Sequence, residues 1–192
     1  MMKKWGLALL LAACLLAVSA AQAEYSANLE ARRTYNKDNL LIQLDYIDGE
    51  GNPVIADDLG YATVKYTYKG SNLMETAFYD ADGLLTNCVD GWAKETNTRG
   101  QKYVLMETVY TDADGMRTAG PEGWASKAYT YNGNKVGAIR YYDASGAPYR
   151  SETQPAAYEA SYKIKPNTGG SRILTEERYL DADGLPMTGP DG

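Results

Sequence analysis

From Leu40 to Tyr46 the chain alternates. Leu40, Ile42, Leu44 and Tyr46 fall on one side, with Leu41, Gln43 and Asp45 on the other. Tyr66 and Tyr68 share a side further on, as do Tyr129 and Tyr131. A period of two in β-branched and aromatic residues predicts half-buried strands. Turn residues interrupt the chain too often for a long helix. Asn132-Gly133 predicts a two-residue hairpin bend with positive φ at both central positions. Asp-Ala-Asp-Gly at Asp80–Gly83 predicts a slightly longer turn, its first Asp accepting a backbone N–H and its Gly taking the left-handed position.

These signals recur in order. Turn glycines stand at Gly51, Gly83, Gly115, Gly146 and Gly184, spaced 32, 32, 31 and 38 residues apart. Each closes a similar string: YIDGEG, FYDADG, YTDADG, YYDASG, YLDADG. A second marker follows at Gly60-Tyr61-Ala62, Gly91-Trp92-Ala93 and Gly123-Trp124-Ala125, and Pro155-Ala156 replaces it in the fourth unit. A third is a Gly or Asn turn between two arms, at Lys69–Asn72, Asn132–Asn134 and Asn167–Gly170. The predicted unit is a strand from the aromatic-Ala marker to a tight turn, a return strand to the Tyr-Asp pair, the acid-glycine turn, and a polar link. The longer fourth unit predicts an extended hairpin loop at Pro166–Ser171. A lone hairpin is marginal in water, and stacked copies bury one another's faces. The expected fold is all-β: a tandem, solenoid-like array of antiparallel hairpin repeats with a period of about 32 residues. Gly189-Pro190-Asp191-Gly192 falls where another aromatic-Ala marker is due, which predicts a partial last unit.

The N-terminus follows different rules. Met1–Lys4 is short and basic, Trp5–Val18 is nearly all apolar, and Ala21-Gln22-Ala23 is a small-x-small site. That is the pattern of a secretory signal peptide, cleaved after Ala23 and too short for a stable membrane span. Leu11-Ala12-Ala13-Cys14 raises lipidation of Cys14 as a rival, disfavoured because Leu15–Val18 prolongs the apolar core. The expected organisation is therefore 1–23 signal peptide, 24–44 N-terminal half-repeat acting as a cap, and 45–192 hairpin array.

Export changes the charge. Loss of Lys3 and Lys4 leaves 17 basic against 25 acidic residues, a net charge of −8. An acidic chain speaks against nucleic acid and anionic membrane surfaces, and no membrane insertion is expected after cleavage. Cys88 alone would remain, so no internal disulfide forms and it reads as a small loop or core residue. The 17 tyrosines against one Phe suit strands with one wet end.

The candidate chemistry is sparse. Asp80-Ala81-Asp82-Gly83 matches the middle of a calcium loop, but the ligand positions at its ends fall on Phe78 and Val89. The copy at Gly115 puts Tyr110 and Pro121 there, so the turn reading is preferred and no metal or cofactor is expected. Histidine is absent, which excludes His-based triads and His-containing zinc sites. A carboxylate pair could hydrolyse glycosides, but no acid stands apart from the turns, and a non-enzyme is expected. Tyr61, Trp92 and Trp124 are the candidate ligand-binding residues. They either pack one unit on the next or offer stacking platforms to sugars or cations.

YTYNGNKVGAIRYYDASG resembles the tyrosine-aspartate repeats and MORN-like hairpin repeats of bacterial surface proteins. YTDADGMRTAGPEGWA and YLDADGLPMTGPDG resemble glucan- and choline-binding cell-wall repeats. The period is longer than in those cell-wall hairpins, and each unit has one Trp or Tyr marker where they have more. The resemblance implies a non-catalytic, surface-associated β-repeat. The expected function is adhesion or binding to cell-wall polysaccharide or a surface protein, from a secreted or cell-surface location. The alternative is a structural spacer in a larger surface protein.

Overall fold

The computed structural model describes residues 29–165 and 170–189. The signal segment, Cys14 and most of the Pro166–Ser171 loop lie outside the described residues. The strands are β1 (Glu30–Tyr35), β2 (Leu41–Ile47), β3 (Thr63–Lys69), β4 (Asn72–Tyr79), β5 (Lys94–Arg99), β6 (Leu105–Thr111), β7 (Ser126–Asn132), β8 (Lys135–Tyr142), β9 (Ala157–Ile164), β10 (Arg172–Leu180) and β11 (Pro186–Met187). They form one open antiparallel sheet in strict chain order. Helix is confined to one 3-10 turn, Gln101–Tyr103, among the described residues. None there is long and apolar enough to cross a membrane.

Strands pair in two alternating ways. Within a hairpin the ladder is long: β3 and β4 match from Thr63↔Tyr79 to Lys69↔Asn72. Between hairpins only three residues pair, as in Ala77↔Lys94, Thr76↔Glu95 and Glu75↔Thr96. A register shift sits near the hairpin tip in each of the five hairpins, after Thr67, Thr98 and Thr130 for example. The extra residue there bends the strand and raises its twist. The expected boundary at residue 44 falls inside β2, whose partner β1 makes a hairpin with it.

The acid-glycine strings are the bends between hairpins. One oxygen of the leading Asp accepts two backbone N–H groups: Asp80 Oδ1 takes those of Asp82 at 3.0 Å and Leu84 at 2.8 Å. Asp48, Asp112, Asp143 and Asp181 do the same. Gly83 has φ +79°, where a Cβ would be strained. The second acid of the string is not needed for the turn, which explains the Ser145 that replaces it in the fourth copy.

Two tips differ from expectation. Asn132 pairs with Lys135, so the bend is Gly133-Asn134, one residue later than Asn132-Gly133. Positive φ is found at Gly133 and not at Asn134, the pattern of a type II′ turn. Gly70-Ser71 repeats it. The β5–β6 tip lacks a turn glycine at its centre and instead uses the 3-10 turn, with Lys102 and Tyr103 at φ 55° and 58°.

Candidate functional site

The link after each bend folds back over one face of the sheet and delivers the aromatic-Ala marker. Ala62, Ala93 and Ala125 are fully buried and bridge successive return strands. Ala93 donates its N–H to the Thr111 carbonyl at 2.8 Å and accepts from Phe78 N–H at 2.9 Å. With no exposed surface at these positions, a larger side chain would have to displace its neighbours, which favours alanine there. The marker ring beside it then falls between the rings of two return strands.

The result is a continuous row: Tyr46, Tyr61, Phe78, Trp92, Tyr110, Trp124, Tyr141. Successive centroids are 6.0, 4.4, 4.6, 5.0, 5.2 and 5.8 Å apart. Such pairs contribute about 0.5–1.5 kcal/mol each beyond their burial. The row breaks at Pro155, where the marker ring is missing, and resumes as the separate pair Tyr158–Tyr179 at 5.4 Å. Gly120 opens the link over Tyr110, where a Cβ would meet ring atoms at 2.3 Å. The corresponding residues Ala56 and Cys88 are also small and buried. Burial pushes the Cys88 thiol up, which disfavours the reactive thiolate.

Tyr61, Trp92 and Trp124 are therefore internal, at 2, 8 and 4% exposure. Their faces are covered by neighbouring rings. The structure brings them together as a spine, and a ligand would reach them only by displacing that packing.

The tryptophans differ in one detail. Trp124 Nε1 donates to Glu122 Oε2 at 2.7 Å. Trp92 Nε1 is buried without a partner. The residue at the corresponding position is Asp90, one methylene shorter than Glu122.

Beside the spine, on the same face, lies a polar and aromatic strip that reading the sequence missed. Tyr66 on β3, Asn97 on β5 and Tyr129 on β7 occupy corresponding places, paired with Thr76, Thr108 and Ile139. Tyr66 and Tyr129 are four strands apart, about 19 Å at the usual spacing. Both are half-buried, and burial pushes both phenols up to about 12. Between them Thr108 donates to Asn97 Oδ1 at 2.7 Å, and Asn97 Nδ2 donates to Glu95 Oε1 at 2.6 Å. Burial raises Glu95 above the ordinary carboxylate range. Glu95 and Glu122 both hold the Tyr129 phenol neutral. Lys127 Nζ sits 5.5, 5.4 and 5.3 Å from the rings of Trp124, Tyr129 and Tyr141, within cation–π range.

Asn97 and Thr108 are themselves buried and fix the strip from within, so what it presents to solvent is the half-buried Tyr66, Glu95, Lys127 and Tyr129. Two hollows, at Asn134, Lys135 and Gly170–Arg172 and at Asp38, Leu40, Gly70 and Ser71, are open dents between hairpin tips. Among the described residues no group of three Cys, Asp or Glu side chains is placed to hold a metal ion. The signal for the strip was present in the repeat. Two residues past the marker alanine the chain has Val64, Glu95, Lys127 and Tyr158, and the next equivalent place has Tyr66, Asn97, Tyr129 and Ala160. These are places where units diverge while their frame is kept.

The chain matches no protein-family model, and no curated protein is significantly similar to it.

Proposed function

We propose that this is a secreted or surface-associated, non-catalytic repeat protein that binds cell-wall polysaccharide through the strip that runs from Tyr66 past Glu95 and Lys127 to Tyr129. Its hairpins, repeating about every 32 residues in a solenoid-like array, present that strip as an extended shallow track. The observation that carries this reading is the pair of half-buried tyrosines with the half-buried Glu95 and Lys127 alongside them. A polyhydroxylated chain suits such a surface: aromatic rings to pack against, and charged donors and acceptors beside them. Tyr61, Trp92 and Trp124 are packed in the spine alongside the strip. Each contact is modest, and affinity accumulates along the chain. The resemblance to surface and cell-wall repeats points the same way.

Retention of the purified protein on isolated cell walls and on a polysaccharide panel, with and without calcium, tests this. Tyr66→Ser and Tyr129→Ser should each weaken retention while circular dichroism is unchanged. Retention by neither walls nor polysaccharides would remove the reading. The strictly sequential strand order favours a second reading, a structural spacer. It expects stacking mutants such as Trp124→Ala to lose stability with no retention to lose.

A further inference from the structure

The sheet ends on two strands whose outer edges are unpaired among the described residues. In the interior, the return strand of one hairpin always pairs three residues with the first strand of the next. The pairs are Asp45↔Thr63 to Gln43↔Lys65, Ala77↔Lys94 to Glu75↔Thr96, Val109↔Ser126 to Glu107↔Ala128, and Arg140↔Ala157 to Ala138↔Glu159. The corresponding residues of the last return strand are Arg178, Glu177 and Glu176 on β10. Those of the first strand are Glu30, Ala31 and Arg32 on β1. β10 passes only Tyr179 and Leu180 to β11, which leaves 176–178 open.

We propose that a second copy of this chain docks head to tail, β1 of one copy continuing the sheet beside β10 of the other. The register repeated at four interior junctions sets the pairs. Glu30 faces Arg178, Ala31 faces Glu177, and Arg32 faces Glu176. Both outer pairs are of opposite charge and lie on one face of the sheet. The small Ala31 stands between them on the other face.

The charges are already anchored on that face. Arg32 donates to Asp45 Oδ2 at 3.2 Å, with half of its side chain exposed. Arg178 lies 3.6 Å from both Glu159 and Glu176 and is also half-exposed. Docking would join these into one alternating row from Asp45 through Arg32, Glu176 and Arg178 to Glu159 of the neighbouring copy. A continued ladder supplies main-chain hydrogen bonds, and the charges supply register and orientation. Such a contact uses different surfaces on the two copies and does not close, so it produces open chains of growing length.

Sedimentation velocity over a range of concentrations tests this with purified protein. Mass should rise progressively with concentration at low salt and fall when salt is added. Glu30→Arg and Arg178→Glu should each weaken association about three- to tenfold, because each places like charges opposite one another. The doubly substituted chain, Glu30→Arg with Arg178→Glu, should recover association near that of the parent. Arg178→Glu also removes the contact to Glu159 within the chain. Failure of the double variant to recover would therefore assign its effect to the β9–β10 hairpin and overturn the proposal. A single mass at all concentrations in low salt, or a closed dimer indifferent to these substitutions, would overturn it as well.

Discussion

Asp90→Glu should stabilise the protein. Trp92 Nε1 is a buried donor with no partner, whereas Trp124 Nε1, in the equivalent setting, has Glu122 at 2.7 Å. A buried unsatisfied donor costs about 1–3 kcal/mol, and a hydrogen bond to a charged group is worth about 1.5–3 kcal/mol. Ordering a glutamate and partly desolvating it offsets some of that. A net gain of about 1 kcal/mol is expected, which for a chain of this size raises Tm by about 2–4 °C. Urea unfolding followed by far-UV circular dichroism measures it, and near-UV or fluorescence changes report the tryptophan environment.

Two controls isolate the cause. Glu122→Asp should lose a similar amount by recreating the Trp92 situation at Trp124. In a Trp92→Phe background, Asp90→Glu should have no effect, because the donor is gone. The coupling between the two sites is then the quantity measured. Equal gains from Asp90→Glu with and without the Trp92 indole would refute the reasoning, as would no gain in either background. The cause would then be surface charge or loop propensity, not the indole.

Trp124→Ala removes a ring at 4% exposure that touches Tyr110 and Tyr141, and should cost about 3–5 kcal/mol by chemical denaturation. Glu95→Gln should raise Tm near neutral pH and not in acid. Burial raises the folded-state carboxyl, so its favourable contribution is present below the unfolded value and is lost as pH rises through the folded one. Asp48 and Asp143 are lowered, chiefly by hydrogen bonds from Asn52 N–H and Ser145 O–H, and act oppositely: their stabilisation is lost as pH falls through the folded value. Asp112→Ala deletes the acceptor of two turn N–H groups and should cost about 1 kcal/mol, while chelation of calcium leaves the parent Tm unchanged.

Much of the frame was legible because it is local. Asp80–Gly83 needs one carboxylate, two nearby amides and a left-handed glycine, all within five residues. Pattern and chemistry there coincide. The tip lies at Gly133-Asn134 rather than Asn132-Gly133 because a type II′ turn needs positive φ only at its first central residue, which puts the glycine first. The burial of Tyr61, Trp92 and Trp124 was harder to read. An aromatic beside Gly and Ala looks the same whether it faces water or a neighbour. The fold-back of the link over the sheet decides between them, and that is a tertiary event.

The strip escaped notice for the opposite reason. Repeats draw attention to what stays the same, and what stays the same here is what one hairpin needs from the next: the spine ring, the small alanine and the turn acid. Their recurrence follows from stacking alone and says little about a ligand. A residue free to vary between units is one that stacking does not dictate. Val64, Glu95, Lys127 and Tyr158 occupy one such place and differ in size and charge. The Glu95 carboxylate and the Lys127 ammonium, held beside Tyr110 and Tyr141 respectively, are costly choices for a place that Val64 fills with a hydrocarbon. A frame that tolerates valine does not require a half-buried charge, so stacking alone does not account for the charges at the centre of the array.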